Sequence, residues 1–333
     1  MCSDWKKQFF KVYFNENSTQ KEIDKVLKIK NNNIPKYLFK YTGIDHIDDL
    51  LENNLFYLSN INELNDPYEG NIIYNRDLQI ERFYNNLIVQ MSNRPKINYN
   101  SLKINIKKEI DILKELIIKN KIPLNTTMKK SDMSQIMENI NKTTQNLPDI
   151  LKNMQEKNVK DFFETLTELI TTNTKLICLS ESNKNNPLWD RYGHEHEGIC
   201  IKYDTDKFSK EIKENCFPIF YDNSNFTDNM PLKDIEKLKA NYNLKALIKK
   251  SFDWRCENEW RIIATDNFRN NCNEIYLNDE IEYLKLNPTT IYLGKDFPND
   301  KIDSIKKICK NNGIDLYKMK QENTQYELIE EPI

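Results

Sequence analysis

Glycine is scarce in this chain, six among 333 residues, and none of the six falls in a G-x-G-x-x-G or G-x-x-x-x-G-K-[ST] arrangement. A glycine-rich loop lets backbone approach a phosphate closely, so its absence argues against conventional dinucleotide and P-loop folds. No run of about 18 apolar residues occurs, which argues against a membrane-spanning helix. Neither sign of charge dominates: 49 basic against 51 acidic side chains leave a net charge of -2 and a pI near 6.1. Such a balance does not hold a chain on nucleic acid by bulk charge alone. The seven cysteines are an odd number and scattered, with no C-x-x-C pair, so they read as reduced thiols. Asp4, Lys6 and Lys7 interrupt any apolar leader, and the chain is expected to be soluble and cytoplasmic, without a membrane partner.

What is present suits a globular protein rich in Asn and Lys. Hydrophobic residues make up 38%, charged residues 30% and aromatics 11%. Residues 37–41 (YLFKY) read as a strand, followed by a short helix capped by Asp45, with Asp48 in its first turn and Ile47, Leu50 and Leu51 as its stripe. A second strand follows at 55–59, closing on the turn chemistry of NDPYEG, residues 65–70. From about 75 to 173 the pattern turns helical, with Leu102, Ile106, Ile110, Leu113 and Ile117 at helical spacing. Strands resume at 176–179, 198–203 and 217–221. A Lys-rich helix then starts after Pro231, and its lysines, Lys250 among them, read as a solvated face. A strand at 259–264 precedes a strand, helix and strand over 289–318, with Gly313 ending the helix. The expected class is α+β, with the core in residues 1–74 and 174–333 and a helical insertion over 75–173.

The chemistry concentrates in four polar clusters at strand ends. The most pointed is DWRCENEWRII, residues 253–263, where Glu257 and Glu259 lead into an apolar run. In a strand, residues two apart share a face, so Glu257, Glu259 and Arg261 are predicted to project one way and Trp260 the other, into the core with Trp254. The stretch CLSESNKNNPLWDRYGHEHEGICI puts Ser180, Glu181, Trp189, Tyr192, His194 and His196 between two strands, Lys40 and Tyr41 end the first strand, and Asn65 to Glu69 form the fourth cluster. His194 and His196 fall on one face of an extended segment, but further metal ligands at suitable spacing are missing, and no G-x-S-x-G elbow accompanies Ser180. A plain ion-pair network of Arg255 and Arg261 with Glu257 and Glu259 accounts for the acids alone. Taken with a stacking ring at Trp189 or Tyr192 and a phosphate partner at Lys40, a carboxylate at a strand start meets the needs of cleaving the N-glycosidic bond of NAD. There the ribose passes through an oxocarbenium-like state that a fixed anion stabilises.

At YLFKYTG (37–43), LSNINELNDPYEG (58–70), ICLSES (177–182), LWDRYGHEHEGICIKYD (188–204) and WRCENEWRII (254–263) the chain resembles a bacterial family known as domain of unknown function family 2971, DUF2971. That family is distantly similar to the ADP-ribosyltransferase fold, including DarT-type toxins that modify nucleic acid. The resemblance implies a split β-sheet core and NAD as substrate, with ADP-ribose passed to a nucleic acid or protein, or hydrolysis of NAD, in a toxin or phage-defence setting. It places Glu259 as the catalytic glutamate and Glu257 as the other acid of a Glu-x-Glu pair. Lys40, Tyr41, Ser180, Trp189, Tyr192, His196 and Arg261 are the expected NAD-binding residues, and no metal is expected. Thr42 stands where the family often carries arginine. Two rivals belong to other classes: a nuclease with its metal on Asp66, Glu181 and Glu257, and a non-catalytic module that binds a partner through the helical insertion.

Overall fold

The computed structural model describes residues 4–15, 18–44, 50–51, 53–70, 157, 160–161, 163–165, 167–168, 170–223, 244–278 and 281–333. The chain divides into two compact units, one of Met1–Asn71, Leu169–Ser224 and Asn241–Ile333, the other of Ile72–Glu168 and Asn225–Ala240. The cap at Asp45, with Ile47 and Asp48, the stripe from Leu102 to Ile117 and the start of the helix after Pro231 lie outside the described residues. The sheet and the polar site described below belong wholly to the first unit.

Two helices come first, α1 (Asp4–Tyr13) and α2 (Gln20–Asn32). The second begins at a capping box: the Thr19 side chain accepts from the Glu22 backbone while the Glu22 carboxylate accepts from the Thr19 N–H. Strand β1 (Tyr37–Thr42) follows, then β2 (Leu55–Tyr57) and β3 (Ser59–Asn60). The single strand expected over 55–59 is thus two short ones, which pair in different sheets. After β4 (Thr174–Ser180) comes α3 (Asn186–Arg191), whose Asn185 cap and Pro187 give the local reason for a helix inside the polar loop. Next are β5 (Ile199–Asp204), α4 (Lys210–Glu214), β6 (Cys216–Pro218), β7 (Phe220–Tyr221) and β8 (Lys249–Lys250). Strand β9 (Glu259–Thr265) runs into α5 (Asp266–Asn271), which Thr265 caps. The chain continues through β10 (Ile275–Asn278), β11 (Ile281–Lys285), β12 (Pro288–Leu293), α6 (Ile302–Asn312), β13 (Asp315–Gln321) and β14 (Leu328–Pro332). Gly313 closes α6 in the left-handed region, at φ 65°.

The main sheet is mixed, in the order β14-β13-β12-β5-β1-β4-β9-β6, with β3 beside β4. Only β12 and β13 run parallel in it, joined by α6. Two halves are evident: β1 pairs with β5 over six residues but meets β4 at the single pair Phe39 and Ser180. The architecture is α+β.

Across the middle strands, register sets opposite chemistries on the two faces. Ser180 faces Glu259 and Cys178 faces Arg261, so these four share one face with Phe39. Their alternates Ile177, Leu179, Trp260 and Ile262 join Leu38 and Ile201 in the large apolar core on the other side. Each such large apolar side chain contributes about 1.5–3 kcal/mol by leaving water. The core therefore fixes where the polar face must lie.

Candidate functional site

Arg261 organises the polar face. Its side chain is fully buried and all five of its N–H groups have acceptors. Nε and Nη2 donate to the two Glu259 oxygens at 2.6 and 3.1 Å, while Nη1 and Nη2 reach both Glu69 oxygens at 2.7 and 2.6 Å. The remaining Nη1 hydrogen goes to the Leu247 carbonyl at 2.6 Å. A strand supplies Glu259 and Arg261 on one face, as expected from their spacing; Glu69 comes from the NDPYEG turn, where the Glu69 N–H bonds to the Asp66 carbonyl.

Glu257 reaches the site by another route. It ends the 3-10 turn Phe252–Glu257, and Asn258 then takes a left-handed conformation, φ 43°, before β9 begins. The expected two-residue alternation from Glu257 to Glu259 is therefore broken by a turn, yet both carboxylates meet at Lys250. The Lys250 Nζ lies 2.8 Å from Glu257, 3.2 Å from Glu259 and 3.4 Å from Glu69, and 4.6 Å from the centre of the Trp254 ring. The Tyr192 hydroxyl donates to the other Glu257 oxygen at 3.0 Å. Three carboxylates face two cations, which leaves one negative charge in excess when all are ionised.

The two acids of β9 and its preceding turn are electrostatically unlike. Burial pushes both up, but at Glu259 the Arg261 guanidinium and the Lys250 ammonium outweigh it and hold the carboxyl well below its ordinary range. At Glu257 burial prevails over Lys250, with Glu259 adding to it, and the carboxyl is raised. Lys250 is desolvated too, but Glu259 and the other acids keep it firmly protonated. Glu259 is thus a fixed anion and Glu257 is the acid nearer to exchanging a proton.

These groups border a cavity of about 230 Å³. Its floor is the sheet face of Phe39, Tyr41, Cys178, Ser180, Glu259 and Arg261, and its walls include Tyr192, Glu257, Lys250 and the turn from Glu63 to Asn65. Lys40 also lines it, and no hydrogen bond or ion pair ties down its ammonium among the described residues.

The structure thus brings together Lys40, Tyr41, Ser180, Tyr192, Glu257, Glu259 and Arg261 of the expected site, with different duties for some. The Ser180 hydroxyl donates to the Glu257 carbonyl at 2.7 Å, fixing the turn that presents that acid. Tyr41 donates to the Ser182 carbonyl at 2.8 Å and accepts from the Asn185 N–H. Trp189 is no stacking platform: α3 turns it inward, fully buried, edge-on to Tyr41, with its indole N–H on the Asn183 carbonyl. His196 lies off the cavity, stacked on Trp189, and burial lowers its pKa. Nor is HEH extended. His194, Glu195 and His196 form a left-handed turn with φ 48, 52 and 69°, held where Gly294 comes so close that a Cβ there would fall on the His196 carbonyl.

The neutralising partners also differ from expectation. Arg255 is exposed and donates to the Phe252 carbonyl, so Lys250 takes its place. Lys250 is not on a solvated helix face but buried in β8. Trp254 is half-buried between Lys250 and Arg191 rather than in the core. The nuclease ligands do not converge: Glu181 accepts from Trp260 and Lys6, Asp66 caps the Tyr68 N–H, and of the three only Glu257 lines the cavity. Glu69, Lys250 and Tyr221, whose hydroxyl accepts from the Glu259 N–H at 2.8 Å, are the site members that sequence reasoning misses. The polar cluster at 65–69 is the one available signal, for Glu69 alone.

No helix among the described residues is long and apolar enough to cross a membrane. No curated protein and no solved structure matches the chain. Residues 188–262, the stretch that carries Tyr192, Lys250, Glu257, Glu259 and Arg261, match the family model described as Protein of unknown function (DUF2971).

Proposed function

We propose that the cavity binds the nicotinamide ribose of NAD and that the protein is an ADP-ribosyltransferase-like enzyme, cleaving the nicotinamide-ribose bond and passing ADP-ribose to a nucleic acid, a protein or water. One observation carries this reading. A carboxylate held well below its ordinary range, Glu259, and a second acid with a raised pKa, Glu257, meet on one wall of a cavity that Lys40 also lines.

The chemistry asks for those groups. As the C–N bond breaks, its electron pair goes to the pyridinium nitrogen, nicotinamide departs neutral, and positive charge spreads over the ribose. A buried anion whose partners are already oriented stabilises that charge without reorganising. Glu257, beside it, suits the orientation of the incoming nucleophile, and Tyr192 fixes Glu257. Lys40 suits a phosphate oxygen. The ionised Glu259 carboxylate favours a cationic ring over a neutral one. The near-separation of the sheet between β1 and β4 agrees with the split sheet such enzymes carry.

The test incubates the protein with NAD, alone and with cell extract, and follows free nicotinamide and ADP-ribosylated product. The reading requires one of these to form and Glu259→Gln to suppress it. Formation of neither, by the folded wild-type protein, overturns it.

A further inference from the structure

Glu69 and Lys250 lie far apart in sequence, and Glu69 lies far from the expected catalytic acids near residue 258, yet both end in the same charge cluster. Their contacts divide the cluster unequally. Arg261 gives two hydrogen bonds to Glu69, two to Glu259 and one to a carbonyl, and none remains for Glu257. The Lys250 ammonium is the one cation among the described residues that touches Glu257, and it is shared with Glu259 and Glu69.

We infer that Glu69 and Lys250 are positioning residues that decide which acid of the cluster exchanges a proton: Glu69 draws on both cations and thereby leaves Glu257, at the cavity wall, the least neutralised of the three. The inference rests on the proposed reading for its catalytic meaning, since in that reading Glu257 takes the proton of the attacking O–H or N–H group. That proton leaves the nucleophile as its bond to the ribose carbon forms and the bond to nicotinamide breaks, so no further reactant is needed. Its electrostatic content holds without any substrate. Removing the Glu69 charge frees Lys250 and Arg261 for the remaining acids, and removing the Lys250 charge strips Glu257 of its cation; the two changes push Glu257 in opposite directions. Among the described residues, the other titratable groups facing Glu257, the Tyr192 and Tyr221 hydroxyls and the Glu259 carboxylate, stay in place in both variants.

The experiment is a carboxyl ¹³C NMR titration of the full chain labelled at glutamate, with Glu257 assigned by loss of its signal in Glu257→Gln. Glu69→Gln is expected to move the Glu257 midpoint down by about 1 pH unit, and Lys250→Met to move it up by about as much. Shifts in one common direction, or none in either variant, overturn the inference. If Glu69→Gln or Lys250→Met prevents folding, as read by thermal melting, Glu69→Asp and Lys250→Arg serve instead: lengthening or shortening the contacts must still move the midpoint, and an unmoved midpoint overturns the inference. Because this titration needs no NAD, it separates the two ideas. Opposite shifts without nicotinamide release leave the positioning roles standing and sink the transferase reading. Nicotinamide release whose pH profile is the same in wild type and Glu69→Gln sinks the positioning roles alone.

Discussion

Replacing Arg261 by leucine removes a guanidinium that serves two buried carboxylates at once. Glu69 and Glu259 would then share Lys250 with Glu257, three acids on one ammonium, in a site from which water is largely excluded. Breaking a buried pair by deleting one partner costs about 3–5 kcal/mol, because the abandoned charge stays desolvated. The pH dependence follows from the shifts. In the wild type the Glu259 pKa is lowered on folding, so its contribution is present above the unfolded value of 4.5 and fades as pH falls through the folded value. In the variant the same carboxyl loses its main partner and its folded pKa rises above the unfolded one, so the penalty is full at neutral pH and disappears below about 4.5. The gap between the two proteins therefore narrows on acidification. All four tryptophans, at 5, 189, 254 and 260, lie in the first unit, so urea unfolding followed by their fluorescence reports on that unit alone. A loss under about 1 kcal/mol, or a gap that does not shrink between about pH 7 and about pH 5, refutes the role of Arg261 as the shared counterion of Glu69 and Glu259.

Glu257→Gln should raise the melting temperature near neutral pH while suppressing nicotinamide release by about 100-fold or more. Its folded pKa is raised, so the ionised acid costs stability above its unfolded value, and the gain from glutamine should vanish in acid. The Lys30 ammonium, fully buried over the Phe217 ring, donates to the carbonyls of Lys213 and Cys216 at 2.8 Å and of Glu214 at 3.1 Å. Lys30→Met keeps the volume but leaves those carbonyls unsatisfied, a loss of about 2–3 kcal/mol by the same urea assay with NAD chemistry untouched. Gly294→Ala sets a methyl group on the His196 carbonyl and should lower the melting temperature more than any alanine placed on the exposed face of α6.

Where the fold was legible, the signal was apolar periodicity. YLFKYT, TKLICLS, ICIKYD and EWRIIAT announce β1, β4, β5 and β9, because a strand buried on one or both faces must carry such runs. Glu259 and Arg261 were legible for the same reason, since two-residue spacing inside a strand fixes a shared face. Lys250 was not. In LKALIKK its neighbours include lysines, and only the tertiary fact of three waiting carboxylates makes burial of an ammonium tolerable. Glu69 reads as turn chemistry because its backbone is in a turn; its side chain acts at a distance in sequence that no local pattern records. Trp189 misleads in the opposite sense. A polar loop surrounds it, but the Asn185 cap and Pro187 start a helix whose inward residues are Leu188 and Trp189.

Strand β9 carries Trp260 and Ile262 toward the interior and Glu259 and Arg261 toward the cavity, one residue out of step with each other. No single-residue insertion or deletion inside it can be silent, since a slip by one drives an indole into the polar hollow and a guanidinium into the apolar layer. The spacing of the acid and its counterion is accordingly guarded by packing as well as by electrostatics.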